Sequence, residues 1–148
     1  MIETTIENWH RYLKGDFPGG LDELLHDDCT FYSPVVFSPQ HGKAITKLYL
    51  QAAQGALPGN DAKSIGEGGG SKFRYTKEIC SGHEAMLEFE TEVAGKYVNG
   101  VDLIRCDDDG KIVEFKVLIR PLQAVNAVHA SMKAMLEKMG ALKDRASA

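Results

Sequence analysis

The stretch that decides the fold runs from Glu84 to Ile119: EAMLEFETEV (Glu84–Val93), AGK (Ala94–Lys96), YVNGVDLIRC (Tyr97–Cys106), DDDG (Asp107–Gly110) and KIVEFKVLI (Lys111–Ile119). In its first part Ala85, Leu87, Phe89, Thr91 and Val93 alternate with Glu84, Met86, Glu88, Glu90 and Glu92. Strict alternation is the mark of a strand with one buried face, and the glutamates mark the other face as the outer one. Ala94-Gly95-Lys96 reads as a tight turn. Tyr97–Cys106 carries apolar residues on both faces and is therefore expected mid-sheet. Asp107–Gly110 is a hairpin turn in which Gly110 is free to take positive φ. Ile112–Ile119 gives the last strand, with Val113, Phe115, Val117 and Ile119 expected on one side.

Outward from this block the period changes from 2 to about 3.6. Towards the N-terminus, Phe73, Tyr75 and Ile79 predict a further strand, broken at Ser81-Gly82. The glycine-rich residues 59–71 predict a mobile surface loop. Lys43–Leu57 predicts a helix with Ala44, Ile45, Leu48, Tyr49, Ala52, Ala53 and Ala56 on its apolar face, closed by Pro58-Gly59-Asn60. Cys29–Ser33 reads as a short strand stopped by Pro34. Ile2, Ile6, Trp9 and Leu13 form one stripe of a first helix over residues 2–14, and a short helix is expected over Leu21–Leu25. Beyond the sheet, Pro121 suits a helix start, and Leu122, Val125, Val128, Met132, Met135 and Leu136 give that helix its apolar face. Consecutive strands joined by short turns, with helices gathered elsewhere, predict an α+β fold with helices on one face of the sheet.

The chain is 148 residues long, 43% hydrophobic and 26% charged, which suits one globular domain. That domain is expected over residues 1–140, with 141–148 as a flexible tail. Its net charge of −4 offers no basic surface for sequence-independent nucleic-acid binding. No window approaches the roughly 20 apolar residues of a membrane span, and Met1–His10 lacks the pattern of a signal peptide. The three cysteines, Cys29, Cys80 and Cys106, are odd in number and widely spaced, which fits reduced thiols in a cytoplasm.

Three stretches in order, Leu24–Phe31 (LLHDDCTF), His41–Ile45 (HGKAI) and Val101–Ile112 (VDLIRCDDDGKI), resemble the nuclear transport factor 2-like superfamily, and within it the SnoaL-like and ketosteroid-isomerase-like branch. The likeness spans about residues 2–122. It implies a cone-shaped α+β fold: a strongly curved, mostly antiparallel sheet wrapped around three to four helices, enclosing a largely apolar pocket, with an outer face that often forms a homodimer. The superfamily holds isomerases, dehydratases and cyclases as well as proteins that only bind partners, so the fold leaves the function open.

Asp102 is the most informative residue. It shares a face with Val98, Gly100, Ile104 and Cys106, and in an apolar wall its ionisation is costly. The resemblance places it where ketosteroid isomerase holds an oxyanion-stabilising, protonated aspartate. The plainer reading is a polar residue satisfied by a neighbour. The general base of that enzyme falls at Ser33 here, and serine does not shuttle a proton near neutral pH without a base beside it. Its oxyanion tyrosine falls near Asn8, with Tyr12 one turn away. Asp102 and Tyr12 are therefore the candidate catalytic pair. Trp9, Phe31, Ser33, Tyr49, Phe89, Phe115, Val117 and Ile119 are the candidate ligand-binding residues, although an aromatic at this spacing is more often plain core. His41 belongs to a His-Gly turn and reads as a loop or capping residue. No histidine pairing or histidine–cysteine cluster predicts a metal site, and no phosphate-binding loop implies a nucleotide or other cofactor. Lys116 and Arg120, on the outward face of the last strand, are expected to pair with the glutamate row.

The sequence thus points to a small apolar, oxygen-bearing ligand and cofactor-independent acid–base chemistry (isomerisation, cyclisation or dehydration). The alternative is a non-catalytic ligand-binding or dimeric interaction module. A homodimer is expected through the sheet's outer face, where Val101, Leu103 and Leu118 point outward.

Overall fold

A computed structural model of the chain describes residues 1–56 and 73–147. The predicted glycine-rich loop, the closing Pro58-Gly59-Asn60 and Leu57 lie outside them. Four helices, α1 (Ile2–Leu13), α2 (Gly20–Leu24), α3 (Lys43–Ala56) and α4 (Leu122–Ser147), are combined with six strands. These are β1 (Leu25–Tyr32), β2 (Gln40–His41), β3 (Arg74–Ser81), β4 (Glu84–Val93), β5 (Lys96–Cys106) and β6 (Ile112–Arg120). They form one curved, unclosed sheet in the order β2-β1-β6-β5-β4-β3, antiparallel except where β1 runs parallel to β6. The α+β cone is the fold that the sequence predicts, with β5 mid-sheet. Helix α4 runs on through 141–147, the stretch set apart as a tail.

The alternation in β4 holds residue by residue: Ala85, Leu87, Phe89, Thr91 and Val93 are buried, while the acidic row faces out. Where β3 and β6 depart from expectation, the cause is an irregularity in the ladder. The β3–β4 register shifts between Tyr75 and Lys77, so Tyr75 pairs with Phe89 on the inner face but Ile79 pairs with Met86 on the outer one. Ile79 is accordingly 54% exposed. In β6 the shift opposite Arg105 and Cys106 lets Ile112, not Val113, take the inner position across from Cys106. Each irregularity bends the sheet and re-aims side chains, which is what an extra unpaired residue does.

Three further expectations are corrected. Helix α3 is turned so that Thr46, Leu50 and Ala52 are buried and Ala44 is exposed. Helix α4 buries Ala124, Val128 and Met132 but leaves Leu122 75% exposed. His41 is in strand β2 rather than a loop, paired with Thr30 across the ladder, and its Nδ1 lies 3.1 Å from the Thr30 hydroxyl.

The interior divides into two clusters. One gathers Ile2, Ile6, Trp9, Leu13, Phe31 and Phe115 around α1, α2 and β1; the other puts Phe89, Val93, Val98, Val128 and Met132 beneath α4. Helix α1 is located by two bonds in its N-terminal half. The Ile2 amide donates to Gly82 O at 3.0 Å, and the Thr5 hydroxyl donates to Gly110 O at 2.8 Å. Gly110 has φ +80, as its turn position requires.

Gly100 on β5 is the tightest point of the inner face. A Cβ there would meet Phe89 Cζ at 2.5 Å and the Leu118 carbonyl oxygen at 2.7 Å. A ring can move, but a ladder carbonyl cannot move cheaply. Gly100→Ala is therefore expected to destabilise the fold by about 1–3 kcal/mol, the usual cost of overpacking. Urea denaturation checks this, and a wild-type midpoint in the variant contradicts it.

Candidate functional site

Between the two clusters lies a cavity whose wall includes Asp102. It gives the centres of water-sized molecules about 40 Å³, within about 530 Å³ of space between atoms that extends to its open mouth. Six of the predicted binding residues line it: Trp9, Phe31, Phe89, Phe115, Val117 and Ile119. Leu50, Gln54, Phe73, Val128 and Met132 also line it, and the sequence reading missed them. Gln54 was legible as a polar residue one turn from Leu50 on an apolar stripe, but the wrong phase of α3 concealed it.

Three predicted residues are placed elsewhere. Ser33 lines an outer groove with Tyr32, Val36 and Phe37, and its hydroxyl accepts from the Val35 amide at 3.2 Å. Tyr49 packs behind Phe31, ring centroids 5.4 Å apart, and is not part of the cavity lining. Tyr12 packs at a tilt against Trp9, ring centroids 5.6 Å apart, and its hydroxyl accepts from Gln54 Nε2 at 2.7 Å. Tyr12 therefore stands behind the cavity wall, against its lining residues Trp9 and Gln54. Burial raises its pKa, with the Gln54 hydrogen bond opposing.

Asp102 projects inward from the middle of β5, between Leu87 of β4 and Val117 of β6. It is 6% exposed. Its Oδ2 accepts from the Tyr75 hydroxyl at 2.8 Å, and the Tyr75 oxygen in turn accepts from Trp9 Nε1 at 3.0 Å. Tyr75 is the principal residue that sequence reasoning overlooked. Its alternation with Phe73 was visible, but nothing in a period-2 pattern shows that a bulge follows it. Burial lifts the Asp102 carboxyl from the ordinary 3.8 to about 7, and the Tyr75 hydrogen bond pulls partly the other way. Burial, together with the charge of Asp102, holds the Tyr75 phenol well above its usual value. The chemistry available is that of one carboxylic acid, close to half-protonated near neutral pH, on an otherwise apolar wall.

The outer face of the sheet also differs from expectation in its ion pairs. Glu90 pairs with Arg74 at 2.8 Å and Glu88 accepts from Asn99 at 2.9 Å, while Lys116 and Arg105 lie beside Glu114. The intervening β5 separates β4 from β6, so Lys116 does not reach the glutamate row. The cysteines are free. Among the described residues no helix is long and apolar enough to cross a membrane, and no group of three or more His, Cys, Asp or Glu is placed to hold a metal ion.

No family model matches the sequence, and no curated protein matches it. Solved structures do. A steroid delta-isomerase from Pseudomonas aeruginosa is 29% identical, with a TM-score of 0.80 over 95% of this chain and 94% of that one. A bacterial protein with a cystatin-like fold from Silicibacter pomeroyi is 27% identical, with a TM-score of 0.72 over 88% and 83%. A nuclear transport factor 2-like protein of unknown function from Mesorhizobium loti is 23% identical, with a TM-score of 0.55 over 80% and 93%. The chain thus shares its fold with a steroid delta-isomerase and with nuclear transport factor 2-like proteins, the likeness that its sequence carries.

The raised Asp102 pKa has a defined effect on stability. Below about pH 4 the group is protonated in both folded and unfolded chains and costs nothing. Between about 4 and about 7 the unfolded chain ionises first, so stability falls across that window and levels off above it. The full penalty is on the order of 4 kcal/mol. Asp102→Asn keeps an acceptor for Tyr75 without the charge. The variant is expected to be the more stable protein at pH 8 and to lose that advantage near pH 4. Denaturation midpoints at the two pH values check this; an equal difference at both contradicts it.

Proposed function

We propose that the protein binds a small, apolar, oxygen-bearing molecule in the cavity at the seam of its two clusters, and that Asp102 engages the ligand's oxygen. The reading rests on one observation: Asp102 is a buried carboxyl on a wall that is otherwise almost wholly apolar. A protonated carboxyl there polarises a carbonyl or protonates a departing hydroxyl, in a setting that strengthens the hydrogen bond. Cofactor-independent isomerisation, cyclisation or dehydration is the chemistry such a group supports. The likeness to a steroid delta-isomerase agrees with acid–base work of this kind. Ser33, away from the cavity and engaged by Val35, supplies no second proton-transfer group. Asp102 is thus the acid, and Tyr12 contributes indirectly, through Gln54 and Trp9.

A second reading, a non-catalytic binding or interaction module, is favoured by the cavity's small size, with Trp9 and Phe115 packed together on its wall at a ring-centroid distance of 5.1 Å. A library of neutral cyclic ketones, alcohols and their carboxylate analogues separates the two readings. Neutral oxygenated compounds are expected to stabilise the wild type by about 2.7 kcal/mol at a hundred times Kd. Turnover of any that react is expected to fall about 10²–10⁴-fold in Asp102→Asn. Binding with no turnover supports the module, and no stabilisation by any compound removes the ligand-binding reading.

The outer face suits a second copy of the chain. Leu103, Leu118, Ile79 and Tyr97 are 36%, 47%, 54% and 48% exposed on it. The face is acidic along β4 and carries Lys116 and Arg120 on β6. A two-fold axis running along β5 lays acidic β4 of one copy over basic β6 of the other. Light scattering is expected to give about 32 kDa, twice the chain mass of 16.2 kDa, and Leu103→Asp with Leu118→Asp to give the monomer. A wild-type mass near 16 kDa at micromolar concentration contradicts the dimer.

A further inference from the structure

The hydrogen-bond chain that ends on Asp102 has a fixed direction. An indole N–H only donates. With Trp9 Nε1 donating to it at 3.0 Å, the Tyr75 hydroxyl oxygen is occupied as an acceptor, and its own hydrogen points to Asp102 Oδ2 at 2.8 Å. The tyrosine ring is held from three sides: His10 meets it edge-on at 5.4 Å, Phe73 at 5.1 Å and Phe89 at 6.4 Å. Trp9 is held in turn between Tyr12 and Phe115 and is 2% exposed.

The second carboxyl oxygen is in a different position. Among the described residues nothing donates to Asp102 Oδ1, yet it is not a sealed, unsatisfied atom, a condition that only Thr46 Oγ1 meets. Oδ1 thus has no donor among the described residues, on a side chain that lines the cavity.

We propose that Trp9 and Tyr75 are positioning residues that decide which oxygen of Asp102 carries its proton: Oδ2 is held as an acceptor, and Oδ1 presents the O–H to the cavity. The inference rests on the ligand-binding reading for its purpose and names the ligand's matching group: a lone pair on a neutral oxygen, as in a ketone or ether. Without the chain, the proton is free to reside on either oxygen, and a carboxyl that can present either face selects no ligand group. Its ladder partners Leu87 and Val117 and its donor Tyr75 are all uncharged, so none of them competes for the proton. The His10 Nε2 contact with Glu78 Oε1 at 2.6 Å lies on the far side of the Tyr75 ring, against which His10 packs edge-on.

The test uses the ligand-free protein, so its failure is separate from a failure to find a ligand. The Asp102 carboxyl carbon, assigned by its loss in Asp102→Asn, is followed by ¹³C NMR from about pH 4 to about pH 10. Wild type is expected to titrate near 7. Tyr75→Phe removes the donor to the carboxylate and is expected to raise the midpoint by about one unit, a tenfold change in proton affinity. Replacing Trp9 with its sulfur isostere, benzothienylalanine, removes only the N–H. Hydrogen bonds in a chain strengthen one another, so this change is expected to raise the midpoint by a few tenths of a unit, about a twofold change, although Trp9 does not touch Asp102. A purely structural Trp9 leaves the midpoint where it is, and that result overturns the proposal, as does a fall in either variant. A second measurement needs no variant: at low pH, wild type is expected to show a slowly exchanging Tyr75 hydroxyl proton with a nuclear Overhauser contact to the Trp9 indole hydrogen. Its absence overturns the chain's direction.

Discussion

A carboxyl group carried into an apolar interior has to find a donor or give up its charge, and much of this structure is arranged around how Asp102 does both. Its place in the middle of β5 leaves it buried, on the wall of a small cavity. The donor comes from β3, two strands away, because the bulge after Tyr75 leaves that side chain facing inward while Ile79 turns out. Helix α1 must then lie where Trp9 can reach the same hydroxyl, and its bonds to Gly82 and Gly110 set it there. Three elements distant in sequence are tied at one phenol oxygen. Gly100, two residues before Asp102 on the same face, leaves room for Phe89 beside the cavity.

The sequence made the fold legible wherever one physical rule acted alone. Alternation in β4, the hairpin at Asp107–Gly110 and the stripe of α1 all hold. It became illegible wherever tertiary contacts competed with a local pattern. Helix α3 has apolar residues over more than one face, and only packing decides that Leu50 and not Ala44 goes inward. The ladder irregularities at Tyr75 and at Val113 carry no glycine or proline to announce them. Strand β2 is two residues long and exists because β1 is beside it.

The site shows the same division. Asp102 was legible because a lone carboxylate on an apolar strand face breaks a rule, and rule-breaking positions draw functional roles. Tyr12 and Tyr49 were singled out because a buried hydroxyl needs a partner. Each is indeed near the interior, but Tyr75 has the hydroxyl that meets the carboxyl. Distinguishing among three tyrosines requires their directions, which spacing on a helix or a bulged strand does not give. Ser33 shows the converse: a position inferred from a resemblance is only as good as the local path of the chain, and after Tyr32 that path turns to the outer groove.

The sheet is open, so it has two edges, and each could extend by pairing with a strand from another molecule. One edge is β2, too short to template more than a bridge. The other is β3, whose exposed side chains include Arg74, Lys77 and Glu78 and whose ladder is interrupted by a bulge. Lateral growth is thus discouraged at both ends, while the broad outer face keeps its apolar residues. A protein built this way can associate face to face and stop at a closed pair, without the open-ended ribbon that an unguarded edge invites.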